Sequence, residues 1–230
     1  MIETRSLTKV FNSHAAVDDV TATFPAGSVT ALLGLNGAGK TTLLQLLAGL
    51  LAPDAGGVVV DGRRPGGDPG LVAAHLGPGA LHPRHTVERH LRWLAALAGI
   101  GPARVAEVLA EAGLAGAGAH RIGALSLGTR QRVAIAGTLL CQPRVLLFDE
   151  PLNGLDVPGV LWFRDLLRKL SDDGCAVVVA SHLLAEVVLT ADRVLILDRG
   201  RVRMDGALCD LVPAGAQSRD WLESTLMECA

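Results

Sequence analysis

Residues 34–42 read GLNGAGKTT: Gly34-Leu35-Asn36-Gly37-Ala38-Gly39-Lys40-Thr41-Thr42, directly after the apolar run Val29-Thr30-Ala31-Leu32-Leu33. The spacing fits G-x-x-x-x-G-K-[ST], and an apolar strand before it with a helix after it is the context that pattern needs. Glycines let successive backbone N–H groups turn inward and form an anion-binding nest. The helix starting at Thr41 adds unsatisfied N–H groups and the positive end of its dipole. Lys40 reaches the β and γ phosphates as a point charge, and the Thr41 hydroxyl can hold Mg²⁺. Lysine occurs only at positions 9, 40 and 169, so its retention at 40 in an arginine-rich chain is informative. A glycine-rich turn that merely precedes a helix is the bland alternative. The loop implies nucleotide binding but leaves kinases, GTPases and ATPases open.

A second stretch narrows this. Val145-Leu146-Leu147-Phe148 is a buried-strand run that stops at Asp149-Glu150. Adjacent unpaired carboxylates at a strand end are costly, and Mg²⁺ supplies a reason for them. Asp149 would meet the metal, directly or through water. Glu150 is then placed to polarise an attacking water. An ordinary strand exit into solvent is the rival.

The rest of the chain frames these two segments. Its 230 residues are half hydrophobic and carry a net charge of −2, enough for a sizeable core and without the basic balance of a nucleic-acid binder. No stretch reaches about 18 uninterrupted apolar residues. The start, MIETRSLTKVF, lacks a secretory layout, so the cytosol is the expected compartment. Cys141, Cys175, Cys209 and Cys229 have no metal-ligand spacing and read as reduced thiols.

Strands are predicted at 4–7, 22–24, 29–33, 58–60, 145–148, 176–180 and 194–197. Helices are predicted at 41–50, 86–114 (interrupted at 99–102), 126–140, 159–170 and 183–189. The glycine- and proline-rich segment 65–83 reads as loop. Alternating strands and helices imply a largely parallel α/β core.

Leu125-Ser126-Leu127-Gly128-Thr129-Arg130-Gln131-Arg132 precedes the acidic strand. With it, the chain resembles the ATP-binding cassette (ABC) transporter family over roughly residues 2–210. The resemblance implies a phosphate-loop NTPase core of the RecA-like type, with a mainly parallel sheet. An N-terminal antiparallel β subdomain and an inserted helical subdomain complete that fold. The expected organisation is one cassette over 1–210, its core at 1–83 and 143–210, the helical insertion at about 84–142, and a short tail at 211–230. It implies that Ser126 and Gly128 approach the γ-phosphate of ATP held by another subunit. Asp156, in Pro151-Leu152-Asn153-Gly154-Leu155-Asp156, matches the acid of the family's D-loop. His182, after Ser181, matches the switch histidine that contacts the γ-phosphate beside Glu150. Phe11 lies where the family stacks an aromatic on adenine.

Two positions depart from the family pattern. Leu127 replaces the commonest signature glycine. Gly77 falls where a glutamine normally ends the strand leading into the helical block, with His75 and His82 off register. The expected function is the ATPase subunit of a transporter, dimerising head-to-tail around two ATP with Mg²⁺ and driving separate integral membrane permease subunits. The second cassette is another copy or a sister ATPase. The subunit would lie on the inner face of the membrane and bind no nucleic acid. The LSLGTRQR and GALHPRHTVERHLRWLA segments look most like bacterial exporters of drugs or antimicrobial peptides. Two alternatives stay open: a soluble cassette ATPase acting on ribosomes or DNA, and a regulatory module with little hydrolysis, which Gly77 suggests.

Overall fold

A computed structural model describes residues 1–228, Ala80 by its backbone only; Cys229 and the expectation of a reduced thiol there lie outside the described residues. The chain opens with a hairpin, β1 (Ile2–Phe11) and β2 (His14–Phe24). Next come β3 (Ser28–Leu33), α1 (Lys40–Leu47), β4 (Ala55–Val60) and β5 (Val72–His75). A 3-10 turn at Pro78–Ala80 leads to α2 (Val87–Leu97), α3 (Pro102–Glu111) and α4 (Leu127–Leu139). Then β6 (Val145–Asp149), α5 (Val157–Asp172), β7 (Ala176–Ala180), α6 (Leu184–Thr190) and β8 (Arg193–Asp198) alternate. The chain finishes with β9 (Arg201–Ala207), α7 (Leu208–Leu211) and α8 (Ser218–Met227).

Two sheets result. One is antiparallel in the order β2-β1-β4, and the other runs β5-β6-β7-β3-β8-β9, parallel except for β9. In the larger sheet β3 and β6 are buried on both faces, which is why they read as continuous apolar runs. Successive β6 side chains point to opposite sides. Val145 and Leu147 join the core that holds α1, whereas Leu146 and Phe148 join the core of α2–α5. Leu43, Leu44, Leu46 and Leu47 of α1 are all buried in the former, each stabilising the fold by about 1.5–3 kcal/mol. That helix is therefore wedged between the sheets, and its N-terminus is held at the ends of β3 and β6.

The segment 65–83, expected to be loop, contains β5, which pairs with β6 from Val72↔Val145 to His75↔Phe148. A four-residue edge strand of small residues has no period to betray it. β9, α7 and α8 were also unexpected; Leu222 of α8 is fully buried against the β8 side of the sheet. Among the described residues no helix is long and apolar enough to cross a membrane, and Cys141, Cys175 and Cys209 are free thiols.

Candidate nucleotide site

The helix α1 begins without a side-chain cap. Its N-cap is Gly39, at φ 103°, and a Cβ there would stand 2.1 Å from the Ala16 carbonyl oxygen of β2. Only glycine lets the loop pass this close to the hairpin. The first amides of α1 consequently face a cleft of about 510 Å³ rather than a protein acceptor. Asn36, Gly37, Gly39, Lys40, Thr41 and Thr42 line it on one side, and Asp149 and Glu150 on another. Gly34, Leu35 and Ala38 shape the loop from behind: the Ala38 amide donates to the Leu35 carbonyl at 3.1 Å.

Lys40 folds back over the loop, its Nζ donating to the carbonyls of Gly34 at 2.7 Å and Leu35 at 3.1 Å. Burial pulls its ammonium below the ordinary lysine value, and the charges of Glu150 and Asp149 oppose that. Thr41 Oγ1 donates to Asp149 Oδ2 at 2.6 Å. This joins the start of α1 to the end of β6 with a hydroxyl and a carboxylate oriented together.

Glu150 is the residue after β6, at φ 47°. The left-handed region costs a non-glycine residue about 1–2 kcal/mol, and strain of this kind concentrates at functional positions. Its amide donates to the Ala180 carbonyl of β7 at 3.0 Å. Its carboxylate meets His182 Nδ1 at 2.8 Å. The strand ends of β6 and β7 thus bring Glu150 and His182 together across 32 residues of sequence.

The other expected site residues stand elsewhere. Ser126 caps α4, Asp156 caps α5 by accepting from the Gly159 amide at 2.9 Å, and neither lines the cleft. Gly128 also lies outside it, its backbone so close to Gly154 that an added Cβ would be 2.6 Å from that carbonyl. Leu127, the signature departure, lies against Gly154 and reaches the cleft rim. Phe11 is 45% exposed at the end of β1, with the Lys9 ammonium 5.6 Å from its ring centre. It is not part of the core, nor does it line the cleft.

Gly77 lines the cleft, but it differs from a simple loss of side chain. Its φ of 98° and ψ of 166° fall in a region essentially confined to glycine. The backbone here follows a path a glutamine would resist. Gln131, Asn153 and His14 also line the cleft, and sequence reasoning assigned them no role. Nothing in the sequence marks Gln131 as buried: it is 2% exposed, whereas Leu127, four positions earlier on the same helix, is 48% exposed.

A strand–loop–helix phosphate cradle on a mainly parallel sheet, with an acidic strand end facing it, defines a phosphate-loop NTPase. Comparison with known proteins narrows the class. The family model described as "ABC transporter" matches residues 17–153, and the chain belongs to that family. It is 31% identical over 234 residues to the SkfA peptide export ATP-binding protein SkfE of Bacillus subtilis, covering 98% of this chain and 95% of SkfE. It is 36% identical over 221 residues to the sulfate/thiosulfate import ATP-binding protein CysA of Synechococcus elongatus, covering 91% and 63% of the two chains. Among solved structures, the dimeric ATP-binding cassette MJ0796 in a post-hydrolysis state with ADP and Pi superposes with a TM-score of 0.82. That match has 25% identity and covers 90% of this chain and 98% of that one.

Proposed function

We propose that this chain is the ATP-hydrolysing subunit of a membrane transporter, working as one of two cassettes. The observation that carries the reading is one cleft lined by an uncapped helix start, the Thr41–Asp149 pair and Glu150, whose carboxylate meets His182 outside the lining. ATP is the substrate: its phosphates lie against the amides of Gly37–Thr42, with the Lys40 ammonium turning from the loop carbonyls to the β and γ oxygens. Phe11, already exposed, stacks on the adenine.

Thr41 and Asp149 are the residues that would hold Mg²⁺. A site offering a hydroxyl and one carboxylate suits an ion that keeps several waters and takes phosphate oxygens, and the ion would neutralise phosphate charge when bound. Glu150 accepts the proton of the attacking water as general base. His182 holds the Glu150 carboxylate through Nδ1 and presents its other nitrogen toward the γ-phosphate.

Ser126, Gly128 and Asp156 lie outside their own chain's cleft, which supports their serving the site of a second cassette. SkfE, similar along nearly its whole length, favours export, whereas CysA is named for import. Direction and cargo belong to the membrane subunits. A groove of about 710 Å³ lies between β5, α2 and α4, and half-exposed Trp93 lines it with Leu81 and Leu94. Leu76 and Gly77 line both this groove and the nucleotide cleft. We assign the groove to an apolar segment of a membrane subunit, which places the chain on the inner membrane face. A partner seated there touches the same two residues that border the nucleotide.

The experiment is ATP turnover of the purified chain beside Glu150→Gln. Turnover should fall at least about 100-fold, as expected for removing a general base, while ATP binding stays within a few-fold. Equal rates in the two proteins would sink the assignment of Glu150.

A further inference from the structure

Gln131 lies in the second turn of α4 and is almost completely buried. A primary amide so far from solvent has to find partners within the protein. Its Nε2 donates to the Pro151 carbonyl at 3.0 Å and reaches the Glu150 carbonyl at 3.4 Å. The same side chain also acts on the buried His75 imidazole of β5, favouring its protonated form. It also lines the nucleotide cleft together with Gly77 and Glu150.

These contacts converge on one peptide. Glu150 is held at φ 47°, and such a conformation persists only where its surroundings over-determine it. The Ala180 carbonyl holds the Glu150 amide from one side. The Gln131 amide holds the two following carbonyls from the other. The direction of the Glu150 carboxylate follows from that clamp, because Cα and Cβ move with the peptide. Beyond the end of β5, Gly77 also lines the cleft; it has no side chain to contribute and a backbone fixed in a glycine-only conformation.

We infer that Gln131 is a positioning residue for Glu150, clamping the strained Glu150–Pro151 backbone on which the water-polarising carboxylate is mounted. The inference rests on the ATPase reading above. Gln131 acts through Glu150: its donated hydrogen bonds go to the Glu150 and Pro151 carbonyls. It also ties α4, which starts at the signature serine, to the acid of its own chain's cleft, so a movement of α4 is transmitted to Glu150.

The test uses Gln131→Met, which keeps volume and loses the donor, and Gln131→Glu, which keeps shape and puts a carboxylate against two carbonyls. Steady-state ATPase rates, ATP affinity and melting temperature are measured for each, with Glu150→Gln and the double variant Gln131→Met/Glu150→Gln alongside. Misplacing a reacting group by about 1 Å costs on the order of 100-fold, so kcat should fall about 10- to 100-fold. KM and ATP affinity should remain within about twofold of the parent. The double variant should be no slower than Glu150→Gln alone, since both changes act through one carboxylate.

Retention of kcat within twofold in both single variants, with Glu150→Gln inactive, overturns the inference and leaves the ATPase reading standing. Equal losses in kcat and ATP affinity, or failure of both variants to fold, overturn it too, because the amide then supports the fold at large. Full turnover in Glu150→Gln instead removes the assignment of Glu150 on which the inference is mounted, and background turnover in the parent chain removes the ATPase reading itself.

Discussion

Two helices of this chain begin with sequences built to face anions, and the free protein treats them differently. α1 starts at Gly39-Lys40-Thr41 with no side chain on its first amides; its threonine hydroxyl is turned away to Asp149. α4 starts at Ser126-Leu127-Gly128, and Ser126 satisfies the helix itself. Its Oγ accepts from the Thr129 amide at 3.2 Å and shares a hydrogen bond with the Thr129 hydroxyl at 2.8 Å. Orphan amides at a helix start need a partner. In α1 no side chain meets that need, which is where the proposed phosphate binds; in α4 it is closed locally. The first terminus is thus organised for ligand in a single chain. On the proposed reading the second exchanges its serine cap for the phosphate of another cassette's nucleotide.

The sharpest way to break this contrast is at the α1 cradle. Gly39→Ala places a methyl against the Ala16 carbonyl and forces a positive φ on alanine. The loop has to leave its track along β2, and ATP affinity should drop at least about 100-fold, or about 3 kcal/mol, with the helical block still folded. Isothermal titration on the isolated chain measures it. Near-normal affinity would mean that the close approach of Gly39 to β2 is dispensable and that α1 is no more specialised than α4.

How far the sequence reveals these regions depends on how local their physics is. The α1 cradle was legible because strand, glycines, lysine and helix are contiguous. The Asp149-Glu150 pair was legible because two acids ending a buried strand have few explanations. β5 was hidden: Val72-Ala73-Ala74-His75 is too short and too small-sided to show alternation, and its partner β6 lies about seventy residues on. The clamp by Gln131 was hidden for the same reason, since its targets are 19 and 20 residues away. At Gly77 the missing side chain could be read, but not the glycine-only backbone. For that reason Gly77→Gln changes the path of the chain as well as adding an amide.

His75, at the end of β5 on the side of the sheet that packs against α4, provides a smaller test. It is 2% exposed on β5, and its Nε2 has no hydrogen-bond partner. Burial pushes its imidazole down to about 4, against a smaller opposing effect from Gln131. The folded state therefore holds His75 neutral while the unfolded chain binds a proton below its ordinary value near 6.5. Stability is fully present above about pH 6.5 and is lost as pH falls toward 4. Between pH 7.5 and 5 this group should cost about 2 kcal/mol of unfolding free energy. His90 and His85 are shifted the same way, mainly by burial, so the comparison is with His75→Leu. Urea titrations at the two pH values should show a smaller acid loss in that variant. Identical losses would mean that His75 is not the buried neutral group responsible.

The mildest change separates the two helix starts most cleanly. Ser126→Ala removes the α4 cap and should lower stability by about 1 kcal/mol, the usual cost of losing a serine N-cap. ATP affinity of the isolated chain should not move, because Ser126 does not line its own cleft. Turnover under conditions where two cassettes pair should fall, because the hydroxyl offered to the neighbouring site is gone. The contrast would fail in a specific way if ATP affinity of the isolated chain dropped along with stability. Ser126 would then act on its own chain's nucleotide, and the closed α4 terminus would belong to the same site as the open α1 terminus.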